Sequence, residues 1–235
     1  MTGIIEIAAS ILNGSEKRLE VVSHNIANTG TSGYKSQTSF SDMMALTGIG
    51  NVSDALPSQS TDFTQGRLSQ TNSPLDFAIS GTGLFKLQRG DDIYYSRQGQ
   101  FQYVEGGRLM TPQGLYLQQA GGGDVILSSL NAQVLGDGTV LENGLPTGQI
   151  GVFKPVSEDA LTSLGGTLFE VDESAIEGAS NFAIRQGMIE AANVTVSDEM
   201  VQMMSSIREA ETGSRLVQTY DTLLGQAIST FGQGS

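Results

Sequence analysis

The chain has one histidine, His24, and no cysteine. No cluster of histidines can therefore hold a metal, and no thiolate can act as ligand or nucleophile. His24 sits where a predicted helix meets a turn and reads as a helix-end polar residue. Two pairs of adjacent acids, Asp91-Asp92 and Glu158-Asp159, are the next candidates. Glycan cleavage needs two carboxylates on opposite sides of a sugar, and neighbours in sequence do not supply that, so both pairs read as solvated turns. The turn Gly81-Thr82-Gly83 lacks the Lys-Ser/Thr of a phosphate loop and leads into a strand. Gly121-Gly122-Gly123-Asp124 occurs once and lacks the further spaced acids of a calcium repeat. No catalytic residue, metal or cofactor is expected.

Charge narrows the partners. The net charge is −13, from 12 Lys+Arg against 25 Asp+Glu, and the acidity is concentrated in the middle of the chain. That field repels polyphosphates, so no nucleic-acid partner is expected. No basic run marks an anionic membrane surface. No stretch reaches the roughly 18 apolar residues that span a bilayer, so an integral membrane protein is not expected. The N-terminus does not read as a cleavable secretory signal, because Glu6 interrupts its apolar run and no basic residue precedes Lys17.

With so little chemistry to position, the elements themselves carry the information. From Ile5, apolar or small residues recur at alternating steps of three and four: Ile5, Ala8, Leu12, Ser15, Leu19, Val22 and Ile26. Near the other end run Met200, Met203, Ile207, Ala210, Ser214, Val217, Asp221, Leu224, Ile228 and Phe231. A seam repeating every 3.5 residues faces another helix along a coiled-coil-like line. Ser15, Ser214 and Asp221 are imperfections in these seams. The periodicity predicts one helix over 2–28 and another over 197–231, with Asp198 and Glu199 favourable at the second N-terminus. Gly14, Gly213 and Gly225 weaken them. The seams have no evident partner in the rest of the chain, which points to joining other subunits; two helices packed on one globular core is the alternative.

Residues 36–70 are rich in Ser, Thr, Gln and Asp, with Phe40, Phe63 and Leu68 as isolated anchors. They read as a flexible linker or as an arm that orders against neighbouring subunits. Beyond them the pattern is β. Phe77 and Ile79 alternate, as do Phe85 and Leu87, and Phe101 and Tyr103. Further strands are predicted at 149–153, 167–171 and 182–185. Turn chemistry separates the strands at Gly90-Asp91-Asp92, Gly106-Gly107, Pro112-Gln113-Gly114, Asp137-Gly138 and Asn143-Gly144.

The segment Ser23 to Lys35 resembles the N-terminal motif of the bacterial flagellar rod and hook family. That motif is an Asn-Asn-Leu-Ala-Asn run followed by Thr, Gly, an aromatic and a basic residue. Asn25, Ala27, Asn28, Thr31, Gly33, Tyr34 and Lys35 match it, while His24 and Ile26 depart. Gln186-Gly187-Met188-Ile189-Glu190-Ala191-Ala192-Asn193-Val194 is similar to the family's Gln-Gly-x-x-Glu-x-Ser-Asn-Val, with Ala192 in place of Ser. The segments Gln65–Leu68, Leu75–Ile79, Gly81–Phe85 and Tyr95–Phe101 resemble its shared β core.

The resemblance implies an α+β chain whose N- and C-terminal helices form a coiled-coil-like helical domain beside a central, mainly antiparallel β domain. The expected domains are 1–35 and 191–235 for the two assembly helices, 36–70 for the arm and 71–190 for the β domain. It implies a structural rod subunit, not an enzyme, packed with copies of itself and other axial proteins. It also implies export through the flagellum's own secretion apparatus into a rod that spans the periplasm and transmits torque. The assembly interface is expected at Ile5, Leu12, Leu19, Val22, Asn25, Ile26, Asn28, Met200, Met203, Ile207, Val217, Leu224 and Ile228. Chain length favours a proximal rod subunit over a distal rod or hook subunit. Two other classes stay open: a β-rich glycan-binding module, though the chain has no Trp for an aromatic platform, and a glycan hydrolase with two separated carboxylates.

Overall fold

The computed structural model describes residues 3–39, 59–157 and 160–232. The chain divides into two compact units. One contains Met1–Ala27, Gln37–Ser60 and Thr195–Ser235, and the other contains Asn28–Ser36 and Thr61–Val194. The Glu158-Asp159 pair, Phe40 and most of the expected 36–70 arm lie outside the described residues.

The first unit is built on two long helices, α1 (Gly3–Ala27) and α2 (Val196–Gly232). They match the periodic stretches to within a residue at each end. The Thr195 carbonyl accepts from the backbone N–H groups of Asp198 and Glu199, which opens α2. Glu6 lies in the first turn of α1, where its charge suits the helix dipole, and His24 lies in the last turn. No described helix is long and apolar enough to cross a membrane.

The second unit is antiparallel β throughout its described strand pairs. Its largest sheet centres on the strand Leu84–Arg89, which pairs with Asp92–Ser96, Tyr116–Leu117 and Val152–Pro155. Alternation along that strand sends Phe85 and Leu87 into the main core and Leu84 into a smaller one with Tyr95 and Phe169. Both sheet faces are thus covered. Phe77, Phe85 and Phe101 meet in the main core, with Phe85 edge-on to Phe101 at 5.9 Å. The strand Phe77–Gly81 pairs with Phe182–Gln186, and Leu68–Gln70 pairs with Met188–Glu190. Early and late segments of the unit are therefore stitched together.

Turn chemistry behaves as expected. Asn143 and Gly144 both take positive φ, 53° and 82°, in a two-residue loop between the paired strands Thr139–Glu142 and Leu145–Gln149. That is the backbone a tight hairpin demands, and glycine or asparagine adopts it most easily. Two expectations fail. The single strand predicted at 149–153 is split, because Gln149 ends one strand and Val152 begins another. Ile150 bridges to Gln119 between them, and a side chain on Gly151 would meet the Gln119 backbone at 3.1 Å. The Phe101/Tyr103 alternation also breaks: Phe101 is buried, but Tyr103 is 41% exposed and donates its hydroxyl to the Leu127 carbonyl.

Candidate assembly surfaces and a buried charge cluster

Within the helical unit, α1 and α2 pack on each other, so the α1 seam meets a partner inside its own chain, contrary to the expectation that it has none. On α1 the buried positions are Ala8, Ser15, Val21, Val22 and Asn25, with Leu12, Leu19 and Ile26 half-buried and Ile5 45% exposed. On α2 the buried positions are Glu199, Ser206 and Gly213, seven residues apart. Met203, Ala210 and Val217 are half-buried beside them. Small residues mark the closest approach. A Cβ on Gly213 would sit 3.0 Å from Leu12 Cγ and 3.3 Å from Ile11 Cγ2. Ser15, an imperfection in the apolar pattern, is fully buried and donates to the Leu12 carbonyl.

The α2 stripe facing α1 therefore runs one residue earlier than predicted at alternate positions: Glu199, Ser206 and Gly213 replace Met200, Ile207 and Ser214. Close helix approach selects small side chains, which an apolar count passes over. Met200, Ile207 and Leu224 are instead exposed, at 50%, 43% and 38%. Val201, Met204 and Leu223 join them on the surface. The side chains of Ile228 and Phe231 lie outside the described residues.

Polar groups fix the helix pair. Arg18 and Glu209 form an ion pair across it. Asn25 donates to the Gln37 carbonyl at 2.8 Å and to Glu199 Oε1 at 3.0 Å, and accepts from the Gln37 N–H at 2.9 Å. It ties α1, α2 and the departing chain together. The other Glu199 oxygen is buried without a hydrogen-bond partner. Burial pushes the Glu199 carboxyl above its ordinary value, the bond from Asn25 opposes this, and Asp198 adds to the rise.

The second unit gathers both family-like motifs around one carboxylate. Glu190 is fully enclosed and takes Lys35 Nζ at 2.7 Å on one oxygen and Arg97 Nη1 at 3.2 Å on the other. The Gly66 N–H also reaches it, at 2.9 Å. Lys35 donates again to the Thr64 carbonyl, and Arg97 to the carbonyls of Ile79 and Gly81. Burial pulls Lys35 and Arg97 below their ordinary values, with Glu190 opposing in both cases. Asn193 bonds Ser36, Asp62 and Thr64. Tyr34 is buried, Gly33 bonds Glu190 through the backbone, and Val194 is half-buried. Asn28 accepts from Thr31. Gln186 joins Pro74, Ala132 and Val134, and Gly187 turns with φ of 76° while bonding Asp76.

Elsewhere the candidate chemistry dissolves into structure. Asp91 and Asp92 are exposed at a hairpin tip. Asp124 pairs with Arg108 and Gln118, and no described group of three acids or histidines could hold a metal ion. Arg97 and the Glu199–Ser206–Gly213 stripe were missed as sites. The seven-residue spacing was the available signal for the stripe, whereas Arg97 carried none beyond its place in the Tyr95–Phe101 segment.

Paired terminal helices, an exposed apolar stripe and an antiparallel β unit define a structural subunit. Residues 78–145 match the family described as flagellar hook protein FlgE/F/G D1 domain, and residues 185–230 match the flagellar basal body rod FlgEFG protein C-terminal family. A flagellar basal-body rod protein FlgG of Buchnera aphidicola subsp. Acyrthosiphon pisum is 30% identical, covering 93% of this chain and 95% of its own. A rod protein FlgF of Mesorhizobium japonicum is 29% identical over the full length of both chains. Another FlgF, from Caulobacter vibrioides, is 28% identical over 92% of this chain and 93% of its own. The chain belongs to the flagellar basal-body rod protein family and is a structural rod subunit.

Proposed function

We propose that this subunit polymerises through its helical unit, with α1 and α2 entering a coiled-coil-like tube shared with other copies and other axial proteins, and that it occupies the proximal rod. The carrying observation is the exposed stripe on α2. Met200, Met204 and Ile207 follow steps of four and three, and each is about half exposed although another face of the helix is already packed. Apolar surface of this kind on a helix marks a contact with another chain. The chain's length of 235 residues is the feature that favours the proximal position in this reading. Family membership supports export by the flagellar apparatus into a basal-body rod crossing the periplasm, where the polymer transmits torque.

The test is Ile207→Asp together with Met204→Asp. Both positions are exposed in the single chain, so the monomer should keep its stability to within about 0.5 kcal/mol. Buried between subunits, a lone carboxylate costs several kcal/mol. Incorporation into rods and swimming should fail while protein level and monomer helicity stay normal. Swimming at wild-type speed would reject the tube role of this face.

A further inference from the structure

The helix pair carries an open groove of about 580 Å³ between α1 and α2. Gly14 of α1 and Ser205, Arg208 and Thr212 of α2 line it, and the Arg18–Glu209 ion pair crosses it. A Cβ on Gly14 would meet nothing within 4 Å, so the floor is open to an incoming side chain. The groove and the exposed apolar stripe occupy different flanks of α2. With the buried Ser206 at zero and about 100° per residue, Ser205, Arg208, Glu209 and Thr212 fall at about 200–300°. Met200, Met204, Ile207 and Glu211 fall at about 100–160°. A chain therefore cannot cover its own groove with its own stripe.

Charge and length relate the two surfaces. Arg18 and Glu209 offset each other, which leaves the exposed Arg208, in no ion pair among the described residues, as the net charge of the groove. Glu211 closes the stripe four residues after Ile207 and is likewise exposed and in no such pair. Along α1 the groove runs from Ser10 to Arg18, about 12 Å, and Met200 to Ile207 spans about 10 Å.

We infer that the groove receives the stripe of a second copy, Met204 and Ile207 seating over Gly14 and Glu211 of that copy meeting Arg208. This rests on the rod reading and names the surface that the stripe meets. Because donor and acceptor surfaces differ, the contact is heterologous: each copy fills one neighbour's groove and offers its own to the next, which extends a polymer rather than closing a dimer.

Cysteine cross-linking tests it, since the chain has no cysteine of its own. A disulfide needs Cβ atoms within about 4 Å. The full chain carrying Gly14→Cys and Met204→Cys together, oxidised in cells that build rods, should give linked species larger than a dimer. Either substitution alone should leave single chains, and the two single variants expressed together should give dimers and nothing larger. In the doubly substituted chain, Arg208→Glu should cut the linked fraction about fivefold, as should Glu211→Arg, and expressing those two together should restore it. Dimers from Met204→Cys alone would show stripe meeting stripe and overturn the inference. So would normal swimming without cross-links in the doubly substituted chain, which would leave the rod reading standing. Loss of the rod reading itself would appear separately, as normal swimming by the Ile207→Asp, Met204→Asp chain.

Discussion

Lys35 and Glu190 stand 155 positions apart in the chain, yet their charged atoms meet at 2.7 Å with both side chains almost fully enclosed. Arg97 closes the other side of the same carboxylate. The cluster balances two cations on one anion, so its members are not interchangeable. Removing Glu190 strands both cations in the interior, which typically costs 3–5 kcal/mol. Glu190→Ala should lower the denaturant midpoint of the β unit by an amount equivalent to about 3–5 kcal/mol, with an unchanged slope. Lys35→Met should cost less, because Arg97 still neutralises Glu190.

Glu199 gives the helical unit a pH dependence. Its carboxyl lies above the ordinary value in the folded chain, chiefly through burial. The folded state therefore holds the proton more tightly than the unfolded one. The associated stability is complete below the ordinary value of 4.5 and falls as pH rises through the elevated one. Circular dichroism melts should show the helices losing stability as pH rises above the ordinary carboxyl range. Glu199→Gln keeps an acceptor for Asn25 and should flatten that slope, leaving the variant more stable than the parent at neutral pH. A slope unchanged in the variant would assign the pH response to other groups.

Gly33 and Gly90 both adopt positive φ, 73° and 64°, but only Gly33 is also enclosed. A Cβ there would lie 2.4 Å from the backbone of Arg97 and Gln98, whereas none would meet any atom within 4 Å at Gly90. Gly90→Ala should cost about 1 kcal/mol from backbone strain alone. Gly33→Ala should cost several times more and should disturb the Gln98 amide in NMR spectra.

Two glycines inside α2 should respond in opposite directions. Gly225 has open space around it, so Gly225→Ala should stabilise the helix by about 1 kcal/mol. Gly213→Leu drives a side chain into Leu12 and Ile11 and should destabilise the pair by about 1–3 kcal/mol. Thermal melts of the full chain check both.

Local rules carried well from sequence to structure. Helix limits, hairpin glycines and the alternation of Phe85 with Leu87 depend on residues a few positions apart, and a periodic reading captures them. The failures involve distance. Ser15 looked like a flaw in an apolar line and Ser206 lay outside the predicted one, but shape rather than hydrophobicity decides the closest approach of two helices. The segment 149–153 had strand composition throughout, yet its pairing partners change at Ile150, and only tertiary contacts dictate that. Lys35 and Glu190 were each visible in a motif. Nothing local to either announced that they would meet, or that Arg97 would complete the cluster.

Glu190 also imposes an order of events on a chain synthesised from its N-terminus. Lys35, Thr64, Gly66 and Arg97 all wait for a residue that arrives after most of the β unit. Until it arrives, two cations destined for the interior must remain hydrated, and the strand pairs Leu68–Gln70 with Met188–Glu190 and Phe77–Gly81 with Phe182–Gln186 cannot close. The same carboxylate that locks the finished fold thereby postpones its closure until most of the β unit is present.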